Sequence, residues 1–417
     1  MPQQHIDKIL KKNKRFKGAY AKKTAYALFN KWGIRSMCNE LLCNSLFCYN
    51  SVAVHMYKCA WQDEENTMSW EENVRKVVPY TPGEQPKIKN IIKLNTNENP
   101  YPPAPAVQEA LKNMDSDSFK KYPDPTCDVL VEAIADFYEV DKENVFVGVG
   151  SDDVLAMAFM TFFNSDKPVL FPDITYSFYD VWAELFRIPY KQIPLLDDFS
   201  VRIEDYFGEN GGVVLANPNA PTGAQLPIDA VEEVIKRNPD VVVIVDEAYA
   251  DFGGQSVLPL IDKYDNLLVV QTFSKSRSMA GMRIGYAFGC KKLIKYLLDV
   301  KFAYNSYTMN MPALELGSLA IKDRAYFEKT VSMIINTRER VKAELRELGF
   351  EFADSKTNFV FAKHKEKSGK EIFDYLRANN IIVRRWDAPR IKDHLRISIG
   401  TDEEMDILIA KLKEFLG

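Results

Sequence analysis

The run Val241-Val242-Val243-Ile244-Val245-Asp246 restricts the fold more than any other stretch of the chain. Five β-branched residues in a row leave no polar face. The segment therefore reads as a strand covered on both sides, as in a parallel sheet with helices above and below it. Asp246 closes the strand. A carboxylate there is costly unless something pairs with it, and open α/β sheets bind their ligands at the carboxyl ends of such strands. The alternative use of this aspartate is to cap a turn or a helix.

The same texture recurs on either side. Residues 144–149, 168–171, 212–216, 267–272 and 284–288 read as further strands, and 152–163, 177–185 and 228–237 as helices between them. Helices are also expected near 106–113 and 127–138. Strands alternating with helices predict a mostly parallel sheet with crossover connections. Beyond about residue 310 the pattern changes. A long helix over 325–348, strands over 359–362, 381–384 and 395–399, and a helix over 370–379 predict a smaller α+β unit. A last helix opens with Thr401-x-x-Glu404, a capping box. The Pro- and Asn-rich residues 81–107 read as an extended arm. The expected fold class is α/β: a large domain over 119–310, preceded by an arm over 68–118, and a small domain over 311–417.

A length of 417 residues already favours two domains. The net charge of −4 argues against a nucleic-acid binder, and no apolar run approaches the ~18 residues of a membrane span. The charge is uneven, however. Residues 1–67 hold 11 Lys or Arg against 5 Asp or Glu, a balance of +6 that leaves −10 for the rest. Four of the six cysteines (Cys38, Cys43, Cys48, Cys59) lie in this leader. Cys127 and Cys290 are the other two, as expected of a reducing, cytoplasmic setting. The basic stretch from Lys8 to Lys23 reads as a solvated helix or a targeting segment, and the cysteine spacing lacks the close pairs of a zinc site. The preferred expectation is that this leader is not part of the protein proper, which begins at Met68. No metal is expected.

Twenty-nine residues after Asp246 comes Lys275, in the run Thr272-Phe273-Ser274-Lys275-Ser276-Arg277-Ser278-Met279-Ala280-Gly281-Met282-Arg283. A lysine among hydroxyls and small residues, with Ser274 beside it and Arg283 eight positions on, suits an amine that forms a Schiff base near a bound phosphate. A second phosphate signal lies upstream. Val145 to Val149 followed by Gly150-Ser151-Asp152 reads as strand, glycine turn and helix start, and helix N-termini bind phosphate. Pyridoxal phosphate needs this combination: a lysine for its aldehyde, an acid such as Asp246 to keep its ring nitrogen protonated, and a phosphate cradle.

Eight segments carry a resemblance. They are Leu94-Asn95-Thr96-Asn97-Glu98-Asn99-Pro100, Lys121-Tyr122-Pro123, Gly150-Ser151-Asp152-Asp153, Asn217-Pro218-Asn219-Ala220-Pro221-Thr222-Gly223, Asp246-Glu247-Ala248-Tyr249, Ser274-Lys275, Ala280-Gly281-Met282-Arg283 and Leu395-Arg396-Ile397-Ser398-Ile399-Gly400-Thr401. In this order, over about residues 70 to 417, they resemble the fold-type I pyridoxal-phosphate aminotransferases and, within them, the histidinol-phosphate branch. The resemblance implies that Lys275 holds the cofactor, Asp246 faces its ring nitrogen and Tyr249 its ring hydroxyl. It gives the phosphate to Gly150, Ser151, Asp152, Ser274 and Arg283, and lays Tyr176 on the ring. Tyr122 would reach the phosphate of a neighbouring subunit, making the protein a homodimer with shared sites. Arg396 would hold the substrate carboxylate and, with Arg384 and Tyr80, the substrate phosphate; Asn97 joins them.

The amino donor implied is L-histidinol phosphate and the acceptor 2-oxoglutarate, a step of histidine biosynthesis. An aromatic aminotransferase, a threonine-phosphate decarboxylase and a non-catalytic regulatory scaffold remain alternatives. One position departs from the family pattern. Ala220 stands where an Asn bonding the ring hydroxyl is common, so either Asn219 substitutes for it or Tyr249 makes that contact alone. Strand alternation sends only one of Arg384 and Arg385 inward, and the sequence leaves open which.

Overall fold

In the computed structural model residues 70–87 and 90–417 are described. The expectations for the leader, its cysteines and a start at Met68 lie outside the described residues. The chain divides into two units, Met1–Arg75 and Lys76–Gly417. The described part of the first contains a single 3-10 turn, Trp70–Asn73.

In the second unit the apolar strands assemble as their composition requires. After a two-residue strand, β1 (Ile92–Lys93), the chain forms β2 (Val145–Gly148), β3 (Val169–Pro172), β4 (Tyr190–Ile193), β5 (Gly212–Ala216), β6 (Val243–Asp246), β7 (Leu267–Thr272) and β8 (Gly285–Gly289). These seven make one sheet in the order β2-β8-β7-β6-β5-β3-β4. The pairs β4–β3, β3–β5, β5–β6 and β6–β7 are parallel, whereas β8 runs against both of its neighbours. Alternate residues feed opposite cores. Val213, Val243, Val245, Leu267 and Val269 pack on one face, and Val214, Ile244, Leu268 and Val270 on the other. Both faces are dry, which is why the strands read as unbroken apolar runs. Cutting Ile244 back to Ala would cost about 2–5 kcal/mol, because its side chain has no route to water.

The sheet sets up the site through its strand ends. β5 and β6 pair in register as far as Ala216 and Asp246, and β6 and β7 as far as Asp246 and Val270. The carboxyl ends of the central strands thus lie together. β7 turns back into the antiparallel β8, and the turn is closed by the Phe273 amide on the Ile284 carbonyl (3.0 Å). Lys275 lies in that turn.

The remainder is a second layer. β9 (Phe350–Glu351), β10 (Phe359–His364), β12 (Arg384–Arg385) and β13 (His394–Ser398) form an antiparallel sheet in the order β12-β13-β10-β9. Helices Arg324–Glu347, Gly369–Ala378 and Asp402–Leu416 cover it with a core that includes Ile334, Val341, Phe359, Ile372, Leu395 and Leu412. β11 (Ile381–Ile382) instead takes β1 as a parallel partner. The arm then follows β13, with the Ser398 amide on the Leu94 carbonyl (3.0 Å). Thr401 and Glu404 close the expected capping box, and Ser368 with Glu371 forms another.

Besides the two-residue strands β1 and β9, three longer elements escape the sequence reading. β4 is an edge strand with one buried residue, Ile193, and so shows no apolar run. Helices Lys291–Tyr304 and Met311–Lys322 have polar and apolar residues too mixed to stand out from their flanks. The strand expected over 381–384 is in fact two short pieces in different sheets. Among the described residues no helix is long and apolar enough to cross a membrane.

Candidate active site

Asp246 is the last residue of β6 and is buried. Its Oδ2 accepts from the Tyr179 hydroxyl (2.7 Å) and its Oδ1 from the Ala248 amide (3.2 Å). No described cation forms an ion pair with it. Burial, the largest influence, pushes its pKa up from 3.8 to about 6, against the two hydrogen bonds and the nearby Lys275, which pull it down. The carboxylate is ionised at neutral pH and still lacks a cation.

Lys275 reaches into the same space. Its ammonium donates to the Thr96 carbonyl (3.2 Å) and lies 5.7 Å from the centre of the Tyr249 ring. The Tyr249 hydroxyl accepts from Asn97 Nδ2 (2.9 Å), and Asn97 Oδ1 accepts from the Ser398 hydroxyl (3.1 Å). A short arm segment therefore joins the end of the small sheet to the lysine.

The glycine turn after β2 is a cradle. Gly150 has φ +84°, and a Cβ placed on it would lie 2.5 Å from Arg283 Nη2. A Cβ on Gly285 would lie 2.2 Å from the Ser151 amide nitrogen. The helix Ser151–Phe162 starts at Gly150 with no side-chain cap, so its first amides point outward beside Arg283. Ser151 is the first helical residue. Arg283 Nη2 is paired with Asp152 (3.1 Å), whose other oxygen accepts from Tyr176 (2.6 Å). Ser274 is buried beside Thr272, their hydroxyls 3.0 Å apart.

A second anion-seeking group stands on the small sheet. Arg384 and Arg396 are direct partners across β12 and β13, so both project from one face. Like charges in that position repel unless an anion lies between them. Arg396 spends Nη2 on the Asn95 carbonyl (2.9 Å), and its Nε is buried with no partner. Arg384 bonds the Pro82 and Thr81 carbonyls (3.3 and 3.2 Å). Burial, first among the causes, lowers the pKa of Arg396; Tyr249, Tyr80, Arg384 and Tyr176 all act on it and so lie around it. Tyr80 is stacked on Phe178 at 4.2 Å. Arg385 faces the other way, with Nε on the Lys392 carbonyl and Nη1 on Asp387 (both 2.7 Å).

The family described as aminotransferase class I and II matches residues 89–412. The chain belongs to the class I and II aminotransferases. It is 51% identical to histidinol-phosphate aminotransferases of Lactococcus lactis subsp. cremoris (strain MG1363) and Clostridium beijerinckii. These alignments cover 84% of this chain and 98% and 97% of the relatives. The solved structure of histidinol-phosphate aminotransferase from Sinorhizobium meliloti, in complex with pyridoxal-5'-phosphate, superposes with a TM-score of 0.72 at 25% identity, over 78% of this chain and 90% of that one.

As an aminotransferase the chain gathers most of the expected residues and leaves two aside. Lys275, Asp246, Tyr249, Asn97, Tyr176, Asp152, Arg283, Tyr80, Arg384 and Arg396 are linked by the contacts above. Tyr122 is outside them, 81% exposed, its ring against Tyr307. Asn219 is fully engaged: Nδ2 donates to the Ile174 carbonyl (2.9 Å) and Thr222 (3.0 Å), and Oδ1 accepts from Thr175 (2.7 Å). The sequence reading overlooked Tyr179, which orients Asp246, and Asn99, whose Nδ2 bonds the Lys275 carbonyl (3.0 Å). Tyr179 stands three residues after Tyr176 in an aromatic run whose facing no periodicity reveals. Three features fit pyridoxal phosphate: a buried carboxylate lacking a cation, a glycine cradle at a helix N-terminus, and a lysine near that carboxylate.

Proposed function

We propose that the protein transfers the amino group of L-histidinol phosphate to 2-oxoglutarate, giving imidazole-acetol phosphate and L-glutamate, with pyridoxal 5'-phosphate as cofactor. The observation that carries this reading is the pair Arg384 and Arg396 on one face, with Arg396 Nε unpartnered and Tyr249, whose ring lies 5.7 Å from the Lys275 ammonium, among the groups around Arg396. Two guanidiniums side by side suit a dianionic phosphate on the amino donor and the carboxylates of the acceptor in turn.

When bound, the cofactor supplies an aldehyde that links to amines and an electron-poor ring that draws in the electron pair left by the departing α-proton. Everything else falls to the chain. The amides of Ser151 and Asp152, Arg283 and Ser274 would hold the phosphate, and Tyr176 would lie on the ring. Asp246 would keep a proton on the ring nitrogen, with Tyr179 orienting its carboxylate. Tyr249 would contact the ring hydroxyl without Asn219, whose two amide hydrogens are spent elsewhere. The Lys275 amine, beside the Thr96 carbonyl, would take the α-proton as a base and return it, as an acid, two atoms along. Tyr80 and Asn97 complete the donor pocket beside Arg384 and Arg396.

The same reading divides the chain into an arm (68–118), a large cofactor domain (119–310) and a small domain (311–417). It also makes the protein a cytoplasmic homodimer. Exposed Tyr122, Tyr304 and Tyr307 support the dimer, and the free thiols of Cys127 and Cys290 support a reducing setting. The test is an assay of purified protein with histidinol phosphate and 2-oxoglutarate. Imidazole-acetol phosphate and glutamate should form in equal amounts. Faster turnover of phenylalanine, or carbon dioxide released from threonine phosphate, would overturn the choice of substrate.

A further inference from the structure

The tripeptide Lys275-Ser276-Arg277 has no helix or strand to hold it, yet each residue is anchored. Asn99 Nδ2, from the arm, donates to the carbonyls of Lys275 (3.0 Å) and Ser276 (3.3 Å). The Ser276 hydroxyl donates to Asp251 (2.5 Å). Arg277 is held differently. It is only 5% exposed, its Nε, Nη1 and Nη2 make no hydrogen bond of good geometry, and the Tyr138 hydroxyl is its nearby polar neighbour. The guanidinium lies instead over two ring faces, Cζ 3.6 Å from the centre of Phe327 and 4.5 Å from that of Phe137. Arg324 takes Phe137 as well, at 4.2 Å. Asp251 and Asp323 are the carboxylates of this neighbourhood, and neither forms an ion pair with Arg277.

The two rings belong to different cores. Phe137 packs against the large-sheet core, and Phe327, on the first turn of the helix Arg324–Glu347, against the small-sheet core. A buried cation held chiefly by ring faces is an uncommon arrangement. A hydrogen bond fixes distance and angle, whereas a cation over an aromatic face keeps most of its attraction while it slides.

We propose that Arg277 is a positioning residue for Lys275: its guanidinium, seated on the faces of Phe137 and Phe327, keeps the lysine turn against the long helix. This rests on the role given to Lys275 above. Removing the guanidinium leaves the phosphate cradle intact but lets the turn wander, so the amine meets the cofactor aldehyde less often.

The test uses full-length apo-protein carrying Arg277→Met, which fills the gap between the rings without charge or plane. Three quantities are read: affinity for pyridoxamine phosphate, which has no aldehyde to capture; the rate at which visible absorbance grows after mixing with pyridoxal phosphate; and kcat against KM. Expected are unchanged pyridoxamine phosphate affinity, capture and kcat each slowed roughly tenfold, and an unchanged KM for 2-oxoglutarate. Arg277→Lys should recover part of the loss. If Arg277→Met does not fold, Phe327→Leu should give the same split more weakly. Capture within about twofold of wild type, or capture and pyridoxamine phosphate affinity falling together, would overturn the proposal. Wild-type protein that captures no aldehyde would sink the role of Lys275 and this inference with it.

Discussion

The molecule offers two places for an anion, and they are built from different materials. The cradle at Gly150 is mostly backbone: helix amides, a glycine forced to φ +84°, and Arg283 tied down by Asp152. The pair Arg384 and Arg396 is all side chain, on a short antiparallel sheet, and one of its nitrogens is left without a partner. Amides cannot move without unwinding the helix, so the first site suits a single phosphate that stays. Guanidiniums on long stems can re-aim, so the second suits ligands that alternate. A reaction in which one cofactor serves two substrates in turn needs one site of each kind.

The largest expected effect lies between the two. Lys275→Ala should cut transamination by at least about 10⁴-fold in steady-state assays, since on the proposed reading it removes both the covalent anchor and the proton shuttle. The cradle should still bind pyridoxamine phosphate. Next, Arg396→Met should lower kcat/KM by roughly 10²–10³-fold for donor and acceptor alike. Arg384→Met should weaken the phosphorylated donor more than 2-oxoglutarate. If the arginine variants instead lost cofactor affinity, the division of labour between the sites would be wrong.

Gly150→Ala should weaken pyridoxal phosphate binding by about tenfold, because the new methyl meets Arg283 and the backbone is strained. Equilibrium titration would read this, with the KM for the donor little changed. The pH dependence of the cofactor-free protein is a smaller effect. Burial raises Asp246 above its ordinary value, so the folded chain holds that proton more tightly than the unfolded one. Stability from this source is complete below pH 3.8 and is lost as pH rises through about 6, by about 3 kcal/mol in all. Glu247, raised to about 7 chiefly by burial, acts in the same direction. Asp246→Asn should flatten the profile in thermal melts between pH 4 and 7. The smallest effect belongs to Arg385→Ala, on the opposite face from Arg396, with kcat/KM within about twofold of wild type.

The backbone-built site was legible in the sequence and the side-chain site was legible only in part. A glycine turn between strand and helix writes itself as Val147-Gly148-Val149-Gly150-Ser151, and Asp246 follows an apolar run that can only be a buried strand end. Arg384 and Arg385, by contrast, are chosen between by strand register alone, and the partner residue Arg396 lies eleven positions or more away with a loop between. The arm shows the same limit. Asn97 and Asn99 act on Tyr249 and Lys275 across more than 150 residues of chain, through contacts that no local period records. Arg277 looked like one cation among three in its segment. Its burial between two rings follows from the meeting of two cores, which has no signature along the chain.

The direct test of the account is where the cofactor aldehyde becomes attached. Protein saturated with pyridoxal phosphate is reduced with borohydride, digested, and the labelled peptide sequenced. The label should fall on Lys275 within Thr272-Phe273-Ser274-Lys275-Ser276 and nowhere else in quantity. A label scattered over surface lysines, with Lys275 unmodified, would contradict it.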